Sequence, residues 1–102
     1  PIELSFKSII QAHLYRDLEV KDFASLTNDS MSTFKRKFKK IFQDTPARYI
    51  AEKKLEKAAS LLRSTDLRIK DICYDCGFRD VSTFSKSFSR KYDLSPSAYR
   101  NA

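Results

Sequence analysis

The 102-residue sequence predicts an all-α fold of about seven helices. One glycine and three prolines are too few for the turns of a many-stranded sandwich, and 41% hydrophobic residues are too many for a disordered chain. Apolar residues recur at the i, i+3, i+4 spacing of amphipathic helices, and one block of the sequence occurs twice. These observations favour a small helical protein built from two similar copies of one unit.

The repeat is clearest in STFKRKF, which begins at Ser32, and STFSKSF, which begins at Ser82. Equivalent residues of the two copies are 50 positions apart here, and the same offset pairs a proline and a tyrosine downstream in each copy. Upstream the offset is one residue smaller, and Ile69–Cys73 pairs with Val20–Ala24. The sequence therefore contains two copies of a unit of about 35 residues, joined by a connector.

An opening helix precedes the first copy, and its apolar stripe is Phe6, Ile9, Ile10 and Leu14. In the first copy, a short amphipathic helix is predicted to stop near Thr27. The next helix carries Phe34 and Phe38 on one face, and either Asp29 or Ser30 is available as its N-cap. The first copy is therefore a helix, a short turn and a second helix.

The connector is predicted as a long helix over about residues 46–63, because Thr45-Pro46 is typical of an N-cap followed by proline at the first helical position. The second copy repeats the helical pair, with a stop near Gly77 and Asp80 as the second N-cap. Ser95-Pro96 then begins a short closing helix. We expect one domain over 1–102, with the opening helix and first pair in 1–45, the connector in 46–64 and the second pair in 65–102.

Charge is distributed unevenly along the chain, which has a formal net charge of +7. The second helix of each copy, Met31–Phe42 and Val81–Tyr92, carries several cations and no acid. Acidic residues precede these two segments instead. Such segregation indicates a polyanionic partner.

Two short helices joined by a tight turn, with cations on the second, form the helix-turn-helix arrangement, in which the second helix enters the DNA major groove. At ~100° per residue, the phenylalanine stripe faces the core and the residues between face outward. The base-reading candidates are Ser32, Lys35, Arg36, Val81, Ser82, Ser85 and Lys86. The phosphate-binding candidates, further along each helix, are Lys39, Lys40, Ser89, Arg90 and Lys91. One chain is expected to read two adjacent major grooves of double-stranded DNA at an asymmetric site.

The stretch IKDICYDCGFRDVSTFSKSFSRKYDLSPSAYR, from Ile69 to Arg100, resembles the DNA-binding domain of AraC/XylS-type transcription regulators. The positions that carry this resemblance are Gly77-Phe78, Asp80, Phe84, Phe88, Ser95-Pro96 and Tyr99-Arg100. The first copy agrees more loosely, and KLEKAASLL resembles the connector helix of that family. The resemblance implies two helix-turn-helix units bridged by a long helix, and a sensing or dimerising domain outside this chain. It also implies a transcription regulator, leaning toward activation, with RNA polymerase as a partner of the full protein.

Five residues depart from the family pattern. Gln43 and Asp93 replace the glycine that commonly follows each reading helix, and both residue types can adopt the left-handed conformation at modest cost. Lys54 stands where the connector usually has arginine, so a bidentate salt bridge is not expected there. Glu19 and Arg68 stand where serine or threonine would cap the first helix of each copy, which predicts weak caps.

The pair Cys73 and Cys76 forms a C-x-x-C, which could be a redox pair or half of a zinc site. The repeat instead aligns them with Ala24 and Thr27, positions that favour small residues. A zinc site needs four ligands, and His13 is the one histidine of the chain. We therefore expect no metal, no cofactor, no catalytic residue and no enzymatic activity.

Two other classes of function are compatible with a small basic helical chain. A basic helical module could bind RNA or an anionic surface without sequence specificity, but the phenylalanines fall on the core stripe rather than on a face open to bases. A protein-interaction module would need an exposed apolar patch, which the helical wheels do not show. No run of apolar residues is long enough for a membrane helix, so no membrane partner and a cytoplasmic location are expected. Because the sequence starts with Pro1 and not with methionine, we expect a piece of a longer protein, although N-terminal processing would produce the same start.

Overall fold

The computed structural model describes residues 2–102, with side chains from Leu4 onward. Over this part of the chain seven helices and no strand are present, which confirms the all-α prediction. They are α1 (Ile2–His13), α2 (Val20–Leu26), α3 (Met31–Phe42), α4 (Pro46–Ser64), α5 (Ile69–Asp75), α6 (Val81–Tyr92) and α7 (Pro96–Asn101). No helix among these residues is both long and apolar enough to cross a lipid bilayer.

The described chain packs as two compact units, each containing one copy of the repeat. The first unit comprises the residues up to Leu14 together with Leu18–Glu52. The second unit comprises Tyr15–Asp17 and Lys53–Ala102. The connector helix α4 contributes residues to both units, because the division between them falls within it, after Glu52. The domain boundaries expected at 45 and 64 stay a prediction.

The core of the first unit joins α1, α2, α3 and the beginning of α4. Its buried members are Phe6, Ile10, Leu14, Phe23, Ala24, Phe34, Phe38 and Ile50. The ring of Phe38 lies at the centre of an aromatic cluster, with its centroid 5.8 Å from that of Phe34, 4.5 Å from Phe42 and 5.5 Å from Tyr49. Centroid distances in this range are those at which tilted and edge-on aromatic pairs attract.

The second unit reproduces that cluster at the repeat-related positions. The ring of Phe88 lies 5.8 Å from that of Phe84, 4.6 Å from Tyr92 and 5.2 Å from Tyr99. Around them the buried core residues are Leu55, Ala58, Ala59, Leu62, Ile72, Cys73, Cys76, Phe84 and Phe88. The residues that recur in the two copies of the repeat therefore form equivalent core contacts in the two units.

The turn between the two helices of each copy is also repeated at the level of the backbone. Asn28 follows α2 with φ of 57°, and Gly77 follows α5 with φ of 91°. The N–H groups of Asp29 and Phe78 each donate to a carbonyl five residues earlier, at 2.9 and 3.0 Å. A left-handed residue combined with this long-reach hydrogen bond is the usual way to end a helix and reverse the chain.

The second helix of each copy, α3 or α6, is called its reading helix below. The N-caps of both reading helices are among the residues predicted from the sequence. Ser30, rather than Asp29, is the N-cap of α3, and its side chain accepts from the N–H of Thr33. The side chain of Asp80 caps α6 in the same way. Both helices end on a non-glycine residue in the left-handed region, Gln43 at φ of 60° and Asp93 at φ of 62°. The prediction that these two residues adopt that conformation is confirmed.

The short helices α2 and α5 begin without a hydroxyl cap. At α2 the backbone N–H of Glu19 donates to Oδ2 of Asp22 at 2.8 Å, so a carboxylate inside the first turn supplies part of the missing cap. At α5 the side chain of Arg68 makes no cap hydrogen bond and pairs with Asp71 at 3.1 Å on the exposed surface. Arg68 therefore provides no side-chain cap, in agreement with the weak cap predicted there, whereas Glu19 and Asp22 form a capping box at α2.

Lys54 of α4 is buried, with 7% of its surface exposed. Its ammonium donates to the carbonyl oxygen of Gly77 at 2.9 Å and lies 5.9 Å from the ring centre of Phe78. Burial is the largest influence on this group and lowers the pKa of Lys54 below its ordinary value. Lys54 therefore makes one hydrogen bond to the turn at Gly77. This agrees with the expectation that a lysine at this position forms no bidentate salt bridge.

The end of α4 is held by a residue of α7. Nε of Arg100 donates to the carbonyl of Leu62 at 3.2 Å, and Nη2 of the same side chain donates to the carbonyl of Thr65 at 3.1 Å. Carbonyls at a helix C-terminus lack partners within the helix, and a cation placed there also complements the helix dipole. This arginine links the closing helix to the connector.

The two cysteines lie in the core of the second unit as free thiols. Burial raises the pKa of Cys73 and raises the pKa of Cys76 to about 11. Because the thiolate is the reactive form, raised pKa values make these thiols poor nucleophiles and poor metal ligands. No group of three potential metal ligands occurs among the residues that the structure describes.

The turns predict different responses to the same substitution. A Cβ at Gly77 would lie 2.6 Å from the carbonyl oxygen of Tyr15, against backbone that cannot rotate away, and φ is positive there. We expect Gly77→Ala to lower the free energy of unfolding by at least about 2 kcal/mol, measured by urea denaturation. Asn28→Ala, at the exposed equivalent position, should cost less than about 1 kcal/mol. Equal costs at the two turns would contradict this account.

Candidate nucleic-acid interface

The outer face of α3 is cationic and open to solvent. Phe34 and Phe38 are completely buried, and this fixes the rotation of the helix about its axis. The sequence-predicted candidates on α3 are all exposed: Ser32, Lys35, Arg36, Lys39 and Lys40. Lys39 and Lys40 also lie in the last turn, where positive charge is favourable to the helix dipole.

The corresponding face of α6 is less exposed and less charged. Ser82, Lys86, Arg90 and Lys91 are exposed. Val81, Ser85 and Ser89 are half-buried, which the helical wheel did not indicate, since it ignores packing within the unit. The division of these residues into base-reading and phosphate-binding groups stays a prediction.

One cation of α3 is already engaged within the protein. Nζ of Lys37 lies 2.8 Å from Oδ1 of Asp29, the residue that follows the left-handed turn position. Only 9% of the Asp29 side chain is exposed, and its second oxygen, Oδ2, has no hydrogen-bond partner. The hydrogen bond from Lys37 is the main reason that the pKa of Asp29 lies below its ordinary value. This ion pair ties the turn to α3 and uses one of the three N–H donors of the half-buried Lys37.

The second unit fills the equivalent turn position with an aromatic ring. Phe78 aligns with Asp29, and its ring centroid lies 4.8 Å from that of Phe84. Ser87 stands at the position of Lys37. The turn of the second unit is therefore fixed to its reading helix by apolar packing instead of an ion pair.

A groove of about 360 Å³ borders the reading face of α3. Met31, Lys35 and Lys39, which are spaced four residues apart on α3, form one wall, and Val20 and Ala47 contribute to the others. Met31 was absent from the candidates chosen from sequence, although 39% of its surface is exposed. The repeat could have found it, because Met31 aligns with the candidate Val81.

Two helical pairs, each with a buried aromatic stripe and an outward cationic face on its second helix, define the molecule as a double helix-turn-helix protein. A family model described as a helix-turn-helix domain matches residues 23–102. The transcriptional activator RhaS of Enterobacter sp. (strain 638) is 35% identical over 91 residues, which are 89% of this chain and 33% of that protein. The chain belongs to the AraC/XylS-type family of helix-turn-helix regulators.

Solved structures agree with this assignment. The C-terminal domain of AraT, a response regulator from Geobacillus stearothermophilus, matches with a TM-score of 0.88 and 30% identity, over 99% of this chain and 84% of that one. The DNA-binding domain of AdpA, solved in complex with a target DNA, matches with a TM-score of 0.87 and 25% identity, over 97% and 89% of the two chains. The chain spans about a third of the length of RhaS, 33%.

The Asp29–Lys37 pair predicts a specific pH dependence of stability. Because the folded-state pKa of Asp29 is below the ordinary value of 3.8, its carboxylate favours the folded state above that pH. This contribution is lost as the pH falls through the folded-state pKa. Asp29→Asn should therefore lower the urea midpoint at pH 7, and the difference from wild type should shrink below pH 3.8. A difference that stays constant from pH 7 to pH 2 would exclude the ion pair as its cause.

Proposed function

We propose that this domain binds double-stranded DNA in a sequence-specific manner as part of a transcription regulator. In this proposal α3 and α6 each enter a major groove, and one chain reads two adjacent grooves. The observation that carries the proposal is the recurrence of one design. In both units two phenylalanines of the second helix are fully buried, and the cations of that helix, apart from Lys37, are exposed.

The rival reading as an RNA-binding module is less well supported. Proteins that read single-stranded RNA display aromatic rings on which bases stack. Each of the eight phenylalanines of this chain is buried or half-buried. Equal affinity for a selected DNA duplex and a single-stranded RNA of the same length would favour the rival.

The wider role rests on the relatives. RhaS is described as a transcriptional activator, which supports activation by the full protein. The proposal also includes RNA polymerase as a partner of the full protein. RhaS is about three times as long as this chain, and this supports a sensing or dimerising domain elsewhere in the full protein. The proposal includes a cytoplasmic location, where bacterial DNA is found, and no catalytic activity.

The exposed cations predict the salt dependence of binding. Seven of them lie on the reading helices, namely Lys35, Arg36, Lys39, Lys40, Lys86, Arg90 and Lys91. If each replaces a counterion at a phosphate, log K should fall with log salt at a slope of about −6. The slope can be measured by fluorescence anisotropy on a selected duplex between about 50 and 200 mM salt. A slope shallower than about −3 would contradict binding by both units.

Two substitutions on α3 should separate base reading from phosphate binding. Arg36 lies early in the helix, where helix-turn-helix proteins reach base edges, and arginine suits bidentate contact with guanine. We expect Arg36→Ala to cost ~1–3 kcal/mol on the preferred site and to relax selectivity at one or two base pairs. Lys40→Ala, a full turn further along, should weaken binding to all sequences alike. Both effects can be read by selecting sites from random duplexes with each variant. An unchanged preference in Arg36→Ala would refute its assignment.

A further inference from the structure

The groove beside α3 has the size and lining of a small-molecule site. Its free volume of about 360 Å³ falls within the range of about 300–1,000 Å³ that ligand pockets occupy. Its apolar walls come from Val20 at the start of α2, Met31 on α3, and Pro46 and Ala47 at the start of α4. Methionine is flexible and polarizable, and it adapts readily to ligands of varied shape.

Two cations stand on the same wall of this groove. Lys35 and Lys39 follow Met31 at successive spacings of four residues, so the three side chains form one stripe along α3. Within the described part of the chain neither lysine makes a hydrogen bond or an ion pair. An apolar surface bordered by two unpaired ammonium groups complements a molecule with an apolar body and one anionic head.

The second unit lacks this charge at the matching positions. The stripe that aligns with Met31, Lys35 and Lys39 is Val81, Ser85 and Ser89, which has no cation. The combination of an apolar groove and ammonium groups therefore distinguishes the first unit from its repeat.

We propose that the groove of the first unit binds a small amphipathic carboxylate and that the bound carboxylate excludes DNA from α3. The exclusion follows because the carboxylate would occupy Lys35 and Lys39, two of the predicted DNA contacts. This second part rests on the proposed function, whereas binding of the carboxylate does not. The domain would then respond directly to a metabolite at its own reading face.

Three probes that share the same apolar phenylbutyl group and differ in the charge of their polar head test the binding step. These are 4-phenylbutyrate, the neutral 4-phenylbutanol and the cationic 4-phenylbutylamine, titrated into isotopically labelled protein and followed by NMR. We expect 4-phenylbutyrate alone to shift the backbone amides of Val20, Met31 and Ala47. The amides of Ile69, Val81 and Ser97, at the repeat-related positions, should not move. Equal binding of the three probes, or shifts confined to other residues, would overturn the proposal.

Substitutions that copy the second unit into the first provide the matched control. The variant with Lys35→Ser and Lys39→Ser should bind 4-phenylbutyrate at least about tenfold more weakly. Lys86→Ser removes a cation of the second unit and should leave that affinity within about twofold. Ala47→Glu, which places a like charge in the groove at a helix start that tolerates acids, should weaken binding as well. Unchanged affinity in the double variant or in Ala47→Glu would refute the site.

Competition with DNA tests the second step. Saturating 4-phenylbutyrate should weaken binding of the wild-type chain to its selected duplex by at least about tenfold, while 4-phenylbutanol has no effect. Groove binding without any change in DNA affinity would overturn the exclusion alone. Absence of duplex binding in the ligand-free chain would instead refute the proposed function, and the NMR result would stand by itself.

Discussion

The burial of two phenylalanines in each reading helix is the interaction on which the rest of the structure depends. Phe34 and Phe38 in α3, and Phe84 and Phe88 in α6, are fully buried. Truncating such a ring to alanine typically costs about 3–5 kcal/mol, out of a total stability of about 5–15 kcal/mol for a small domain. Because each pair is four residues apart, it fixes which face of the helix points outward. The residues between the rings can then vary without disturbing the core.

The two units reach one backbone geometry with different chemistry. Asp29 and Lys37 hold the first turn to its helix by a charge-assisted hydrogen bond of 2.8 Å, whereas Phe78 packs on Phe84 in the second. The first solution is sensitive to pH, and the second depends on apolar contact. The same backbone hydrogen bonds surround both. Both copies therefore keep the same turn geometry, and either an ion pair or an aromatic contact can support it.

Much of the fold could be predicted from the sequence because its determinants are local. The helices and their left-handed ends follow from helical spacing, from caps within three residues and from the internal repeat. The hydrogen bond from Lys54 to the carbonyl of Gly77 was not predictable in this way, since it joins residues 23 positions apart. The ion pair of Arg79 with Asp17, 62 positions apart, is of the same kind. The half-burial of Ser85 and Ser89, and the groove beside Met31, likewise depend on neighbours that only the packed unit supplies.

The left-handed ends of the reading helices bear on how this domain can evolve. Gln43 and Asp93 hold a conformation that costs a residue with a side chain roughly 1 kcal/mol more than glycine. The sequence therefore lies below the highest stability that its own fold permits. One mutation to glycine at either position would offset a destabilising change elsewhere, such as a new residue on a reading face. A domain with such compensating mutations close at hand can explore new binding preferences without losing its fold.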